Sequence, residues 1–460
     1  MLNDVRPPVR AIPVDTLCES KCDVVVLGCG IAGLTAAYEL QRSGLSVVMV
    51  DRAEECGGSH RSRNIGPYTF DSGSVFFEPT HPMFDMFDGI LETCQPVLRK
   101  QGRIAPDGTV RHYPFAASEF LTWPLLLQLR GISSLLTRRL HASGQESAEA
   151  FCLSRLGHVI YEYSGLKYYI ARFHHAPASE IDILFCEKRM NFILEGTRIP
   201  AMARTMWRLL RGRSTLPQRT YPLRVRPRDG FGALYGAIRT QLENKGVSFR
   251  LGARVLELAR ENREFRVKTT HGDIVARNVV GAITLESMCQ LALGEATGLE
   301  KIDLLTLFIS VSQIEGFEGN VLFNFHRLGE WKRLTIYSRI YGKAKEREYF
   351  SVEIPLASDG SRDALAAFRN FCRDVAQMGI FSKDLVLHDF DILEDAYPFY
   401  RKGCGAKISD AIGRIETFGI IPVGRQGRFA YLPVSALVIE STRAILTEAA
   451  TRLRKSNVPP

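Results

Sequence analysis

A chain of 460 residues, 45% hydrophobic and 24% charged, has the length for two domains and a sizeable core, and its composition excludes fibrous and disordered classes. Its formal net charge of +9 favours anionic partners, among them phosphorylated substrates and membrane surfaces, with plain solubility as the bland alternative. The ten cysteines are scattered without C-x-x-C pairs or histidine spacing, which argues against zinc and for reduced, cytosolic thiols.

Residues 1–21 mix acids, prolines and arginines and read as a loose leader without the apolar run of a signal peptide. No stretch approaches the roughly 18 uninterrupted apolar residues of a membrane span. Val24 to Leu27 is an all-apolar run, as a buried parallel strand requires, and Gly28-Cys29-Gly30-Ile31-Ala32-Gly33 follows at once as G-x-G-x-x-G. Ala32 to Arg42 is rich in helix formers, so a helix starts with its free N–H groups and positive dipole end aimed at the glycine turn, a geometry suited to a pyrophosphate. Leu45 to Val50 is a second buried strand and ends on Asp51, about 20 residues past the glycines, where a carboxylate accepts ribose hydroxyls. A βαβ dinucleotide unit results. The acid argues against a phosphorylated ribose, and the unit alone leaves NAD and FAD open.

Gly57-Gly58 stands just beyond the acid, and this D-x-x-x-x-x-G-G extension resembles the FAD-binding start of the superfamily of flavin amine oxidases, protoporphyrinogen oxidases, phytoene desaturases and UDP-galactopyranose mutases. The resemblance implies FAD, with Gly28, Gly30, Ile31, Ala32, Gly33, Asp51, Arg52, Gly57, Gly58 and Ser59 along the cofactor. Tyr68 to Phe77 alternates and then turns through Asp71-Ser72-Gly73, similar to a family segment close to the flavin ring, which adds Gly73.

From about Phe84 to Leu216 the dinucleotide pattern is lost. Arg111 to Phe115 reads as a strand end, and residues 120–140 are strongly apolar with a basic end, interrupted at Pro124 and Gly131. Helical cap packing is one reading of 120–140, and peripheral membrane contact with arginines at the headgroups is the other. Tyr161 to Asn191 resembles the helical roof of the substrate site in the protoporphyrinogen oxidase and mutase branches. Within it Lys167 is a candidate to hold a water near the flavin, as a lysine does in the amine oxidase branch.

Dinucleotide logic returns at Arg226 to Gly232, where a glycine turn leads into a helix from Ala233 to Lys245. Strands are expected at 246–251, 253–258, 264–270, 273–276 and 278–282. The family residue matching Val255 touches adenine. Residues from Ile302 to Leu356 are strand-rich, including Arg333 to Ile340, and Asp363 to Met378 is an amphipathic helix, together a mixed sheet with helices. Asp395 to Tyr400 resembles the "AYP-x-Y" segment of the protoporphyrinogen oxidase-like and mutase-like members. Gly424-Arg425-Gln426-Gly427-Arg428-Phe429-Ala430-Tyr431 is similar to a family turn beside the flavin, followed by a terminal helix from Ser435. That helix departs from the family at Val438-Ile439-Glu440-Ser441, where a glycine often stands.

The expected architecture is therefore α/β: a Rossmann-type FAD-binding domain assembled from 22–83, 215–295 and 413–455, and a discontinuous α+β substrate domain from 84–214 and 296–412, with 456–460 loose. The favoured function is an FAD-dependent oxidoreductase that takes a hydride from a small or phosphorylated substrate onto flavin N5. A mutase-like sugar-nucleotide isomerase is the alternative, and a non-catalytic flavin-binding scaffold stands as a third reading. The resemblance extends the cofactor contacts to Val255, Gly424, Arg425 and Ser435; catalytic candidates are His60, Lys167, Tyr397, Arg425 and Tyr431, and His60 reads better as a polar neighbour of the cofactor than as a base. The expected partner is a small molecule, with an anionic one favoured by the charge, no nucleic acid and no metal expected, and a cytoplasmic location that leaves membrane association open.

Overall fold

Two sheets of seven strands organise the chain, one assembled from its two ends and a middle segment, the other from the stretches between. The computed structural model describes residues 20–138, 146–190, 193, 197–211, 221–357 and 360–455; the expected loose tail 456–460 and most of the leader lie outside these.

In the first sheet the order is Ser248–Arg250, Val47–Val50, Ser20–Leu27, Ile274–Gly281, Glu264–Thr269 and Val255–Glu261. The first four run parallel, and Ile420–Pro422 joins parallel to the far half of Ile274–Gly281. Val24, Val25, Val26 and Leu27 are fully buried, as their unbroken apolar run requires of a strand covered on both faces. All five parallel strands present their carboxyl ends at one edge, the edge where open α/β sheets bind ligands.

Three boundaries differ from the sequence reading. Ser20 and Lys21 belong to the first strand and not to a leader, because they pair with Ile274 and Val275. The expected strands 273–276 and 278–282 are one strand, Ile274–Gly281, whose first half pairs antiparallel with Glu264–Thr269 while its second half pairs with Ile420–Pro422. Arg333 to Ile340 gives a strand only over Arg333–Ile336, then the short helix Ser338–Tyr341.

The second sheet has the order Val386–Pro398, Lys301–Val311, Glu348–Leu356, Arg333–Ile336, Val321–Asn324, Gln101–Ile104, Val110–His112. Leu305, Leu307 and Ile309 alternate with Thr306, Phe308 and Ser310 along its long central strand. The aliphatic face packs with Phe350, Val352 and the helix Ala364–Met378 through Phe371 and Val375. The opposite face carries the polar and aromatic residues, and Phe70 stacks on Phe308 there at 5.1 Å, joining the hairpin Ser62–Ile65/Tyr68–Asp71 to this sheet.

Between Gln101–Ile104 and the return at Leu223–Val225 the chain is mainly helical: Leu125–Thr137, Ala148–Tyr163, Leu166–His174, Ile183–Arg189 and Ile199–Leu210. Pro124 is the N-cap of Leu125–Thr137, so it starts this helix and interrupts nothing within it. Gly131 does not break the helix either; a Cβ there would stand 2.6 Å from the Phe120 ring, so glycine admits the ring.

Candidate active site

Leu27 ends the first strand, and Gly28 turns the chain with φ +101°, a left-handed value that glycine supplies without strain. Helix Ile31–Arg42 then opens at Gly30 with no side-chain cap and no acid in its first turn. A Cβ on Gly33 would lie 1.8 Å from the Gly28 carbonyl oxygen, so the third glycine is what lets the helix sit this close to the strand end. Asp51 is held by two backbone donors: Cys29 N–H to Oδ2 at 2.6 Å and Ala53 N–H to Oδ1 at 2.9 Å. Its carboxylate retains acceptor sites beyond these two.

Gly57 N–H donates to the Cys29 carbonyl at 2.9 Å, and a Cβ on Gly58 would stand 3.0 Å from the Gly30 Cα, so the two glycine turns lie against each other. On the other side Gly424 covers the first turn of the same helix; its Cβ would meet that of Ala32 at 2.4 Å. Val255 is brought beside the acid by its neighbour Ala253, whose N–H donates to the Asp51 carbonyl at 2.9 Å. Ile31 lines the same opening half-buried, whereas Arg52 is exposed. Uncapped N–H groups, a surface free of Cβ atoms and an adjacent carboxylate fit a pyrophosphate with its ribose.

Arg425 connects this cradle to a second chamber. Its Nη2 is 3.5 Å from Ser59 Oγ, and its charge acts both on His60 and on Tyr397. His60 stacks on Phe231 at 4.8 Å and its Nδ1 is 2.5 Å from the Tyr235 hydroxyl. Burial, helped by Arg425 and His81, lowers its pKa to about 3, so the ring is neutral at working pH and a poor proton acceptor. Ser435, at the start of Ser435–Lys455, is 2.8 Å from His81 Nε2. Gly73 has φ +127° and open space around it, next to Asp71, which forms a fully buried ion pair with Arg226 at 2.7 Å.

The second chamber is aromatic and cationic. Tyr397, at the end of Val386–Pro398, and Tyr431 lie nearly parallel with centroids 6.0 Å apart. Tyr113 stacks on Phe323 at 4.0 Å and Tyr169 on Phe325 at 4.5 Å. Lys332 donates from Nζ to the Tyr397 hydroxyl at 2.8 Å and pairs with Glu353 at 3.0 Å. Glu353 also takes Arg333, which stands directly opposite it in the strand register. Despite burial, the two cations hold the Glu353 carboxyl down at about 2. Burial pushes Lys332 below the ordinary lysine value.

Arg189, from the last turn of Ile183–Arg189, faces the Tyr169, Phe173 and Tyr431 rings at 5.9, 5.5 and 5.3 Å and donates to the Tyr169 hydroxyl at 2.6 Å. Among the described residues no carboxylate pairs with it, and its shielded Nε has no hydrogen-bond partner. Burial raises the Tyr113 and Tyr397 phenols to about 12 and Tyr431 also upward, so these rings are neutral and leave the guanidinium charge unbalanced.

Of the residues expected from sequence, Gly28, Gly30, Gly33, Asp51, Gly57, Gly58 and Gly424 gather at the cradle, and Tyr397, Tyr431 and Arg425 at or beside the chamber. Lys167 does not: it is exposed on the outside of Leu166–His174. Sequence reasoning missed Lys332, Glu353 and Arg189. Glu353 had a visible signal, a lone acid in the apolar run Tyr349 to Leu356; Arg189 had none, because it follows two solvent-facing charges on its helix.

Residues 26–90 match the NAD(P)-binding Rossmann-like domain family. "Probable flavin-containing monoamine oxidase A" of Dictyostelium discoideum is 37% identical over 98 residues, 18% of this chain and 22% of its own. Hydroxyneurosporene desaturase of Rubrivivax gelatinosus is 32% identical over 96 residues, 21% and 18% of the two chains. The chain thus spans about a fifth of the length of these relatives. A reduced UDP-galactopyranose mutase has the same fold at TM-score 0.75 and 15% identity, over 95% of this chain and 96% of that one. The N-terminal cradle thus matches the NAD(P)-binding Rossmann-like domain family by sequence, and nearly the whole chain shares the fold of that UDP-galactopyranose mutase.

Proposed function

We propose that the protein is an FAD-dependent oxidoreductase acting on an anionic organic substrate. The observation that carries the substrate class is Arg189, a cation among neutral aromatic rings with an orphaned Nε and, among the described residues, no carboxylate partner, since a charge kept in such a place calls for a counter-charge. FAD in the glycine cradle supplies the hydride acceptor. Arg189 anchors the anionic group, and the facing Tyr397 and Tyr431 rings enclose the carbon skeleton and exclude water. Lys332, by donating to the Tyr397 oxygen, turns the phenol proton of Tyr397 toward the chamber, where it is available to the substrate.

Protein purified with FAD is yellow on this reading, and an anionic substrate bleaches it without oxygen. Arg189→Ala raises KM for that substrate by about tenfold or more, by loss of a charge-assisted contact, with flavin content unchanged. Failure of every anionic amine, hydroxy acid or phosphate ester to bleach the flavin overturns it. The same cation together with the mutase-like fold favours a second reading, isomerisation of a nucleotide sugar. Its signature is turnover only after dithionite reduction and with no oxygen consumed. Protein that binds FAD yet turns over neither kind of substrate, oxidised or reduced, leaves the non-catalytic flavin-binding scaffold.

A further inference from the structure

One helix of the chain is oriented against the usual rule. Leu125–Thr137 turns the half-buried Leu127, Ser134 and Leu135 toward Ala148–Tyr163, close enough that a Cβ on Gly157 would lie 2.6 Å from the Ser134 carbonyl. Outward it presents Leu125, Leu129, Ile132 and Leu136, exposed by 71%, 56%, 46% and 79%. These stand at i, i+4, i+7 and i+11, a continuous apolar stripe along the solvent side, and Leu126, 74% exposed, widens it. A solvated helix face carries charges of both signs; this stripe carries leucine.

The charges along this helix have one sign. From Leu121 to Arg138 there is no acid, and Arg130 is exposed beside the stripe. Glu119, the nearest acid, is engaged by Arg103 and Arg111. A second helix, Ile199–Leu210, repeats the composition: Arg198, Arg204, Arg208 and Arg211 are exposed with Trp207, and no acid occurs from Ile199 to Arg213. Apolar residues on a helix whose only charges are arginines match the boundary of an anionic bilayer, where leucines enter the acyl layer and guanidinium groups meet phosphates. A protein partner of ordinary surface would offer no such uniform complement.

We propose that the stripe of Leu125–Thr137 docks on an anionic lipid surface, lying in its plane without crossing it. Among the described residues no helix is long and apolar enough to cross a membrane. The test is co-sedimentation of the FAD-loaded full chain with phosphatidylcholine vesicles, with and without a quarter of phosphatidylglycerol. The expected result is partition onto the anionic vesicles, weakened in about 1 M salt as surface charge is screened. Leu125→Ser with Leu129→Ser lowers the partition by about tenfold or more, and Arg130→Glu by about fivefold or more. Leu136→Ser alone, at the most exposed position, gives a smaller loss in the same direction and keeps the test open if the double variant is poorly folded. Flavin content stays unchanged in each. Absence of binding to anionic vesicles, equal binding to neutral ones, or binding indifferent to the leucines overturns the proposal. A dimer that the leucine variants dissociate, without vesicle binding, assigns the face to a second copy instead.

Discussion

Glu353 shows how a single carboxylate organises the charged side of the chamber. It is 1% exposed and holds both Lys332 and Arg333, so removing its charge leaves two cations without balance in a low-dielectric site. Glu353→Gln therefore destabilises the fold by about 3–5 kcal/mol, measurable as a shift in the denaturant midpoint. Its pKa, lowered to about 2, sets a sign as well: the stability it contributes is complete above about pH 4.5 and is lost as pH falls from there toward 2. Asp51 makes the corresponding argument at the cradle. Asp51→Ala removes the acceptor for both Cys29 and Ala53 N–H groups and for a ribose, and the flavin of that variant is expected to be lost on dialysis while the wild type stays yellow.

Elements were legible in the sequence where one local pattern decides them. The turn from Leu27 through Gly33 into its helix was readable because apolar run, glycines and helix formers occur in order over fewer than twenty residues, and the structure adds the reason in the 1.8 Å clash that any Cβ on Gly33 would meet. Gly33→Ala is accordingly expected to separate helix from strand and to yield little soluble, flavin-bearing protein. Gly424→Ala meets the Ala32 Cβ at 2.4 Å and strains a left-handed φ of +74°, so it should weaken flavin retention by pressing on the N-terminal motif from the far end of the sequence. Less legible was what depends on register. Arg333 and Glu353 oppose each other only because Arg333–Ile336 and Glu348–Leu356 pair in one particular alignment, and no local pattern of residues announces that pairing. The same holds for Ile274–Gly281, which the Arg277-Asn278 polar pair made look like two strands; Asn278 is in fact buried and reaches the Asp23 carbonyl at 3.4 Å.

Across the whole molecule, three buried histidines make acid the vulnerable direction. His60, His81 and His174 are lowered to about 3, 4 and 3, chiefly by burial. Each is neutral when folded and takes a proton near pH 6.5 when unfolded, so stability is complete above about 6.5 and falls as pH drops toward those values. The expected slope is about 1.4 kcal/mol per pH unit for each histidine, read from denaturation midpoints at pH 7.5 and 5.5. Histidine-to-phenylalanine replacement at position 174, which lies among Phe173, Phe185 and Phe399, should flatten the profile.

Because Ile274–Gly281 completes its pairing only with Ile420–Pro422, the cradle edge is closed by a segment almost 400 residues downstream of the G-x-G-x-x-G turn. During synthesis the N-terminal βαβ unit therefore waits with one flank open until residues 420–422 have left the ribosome. Cofactor capture follows the emergence of that segment, and any ribosome-bound nascent chain shorter than Gly424 remains colourless.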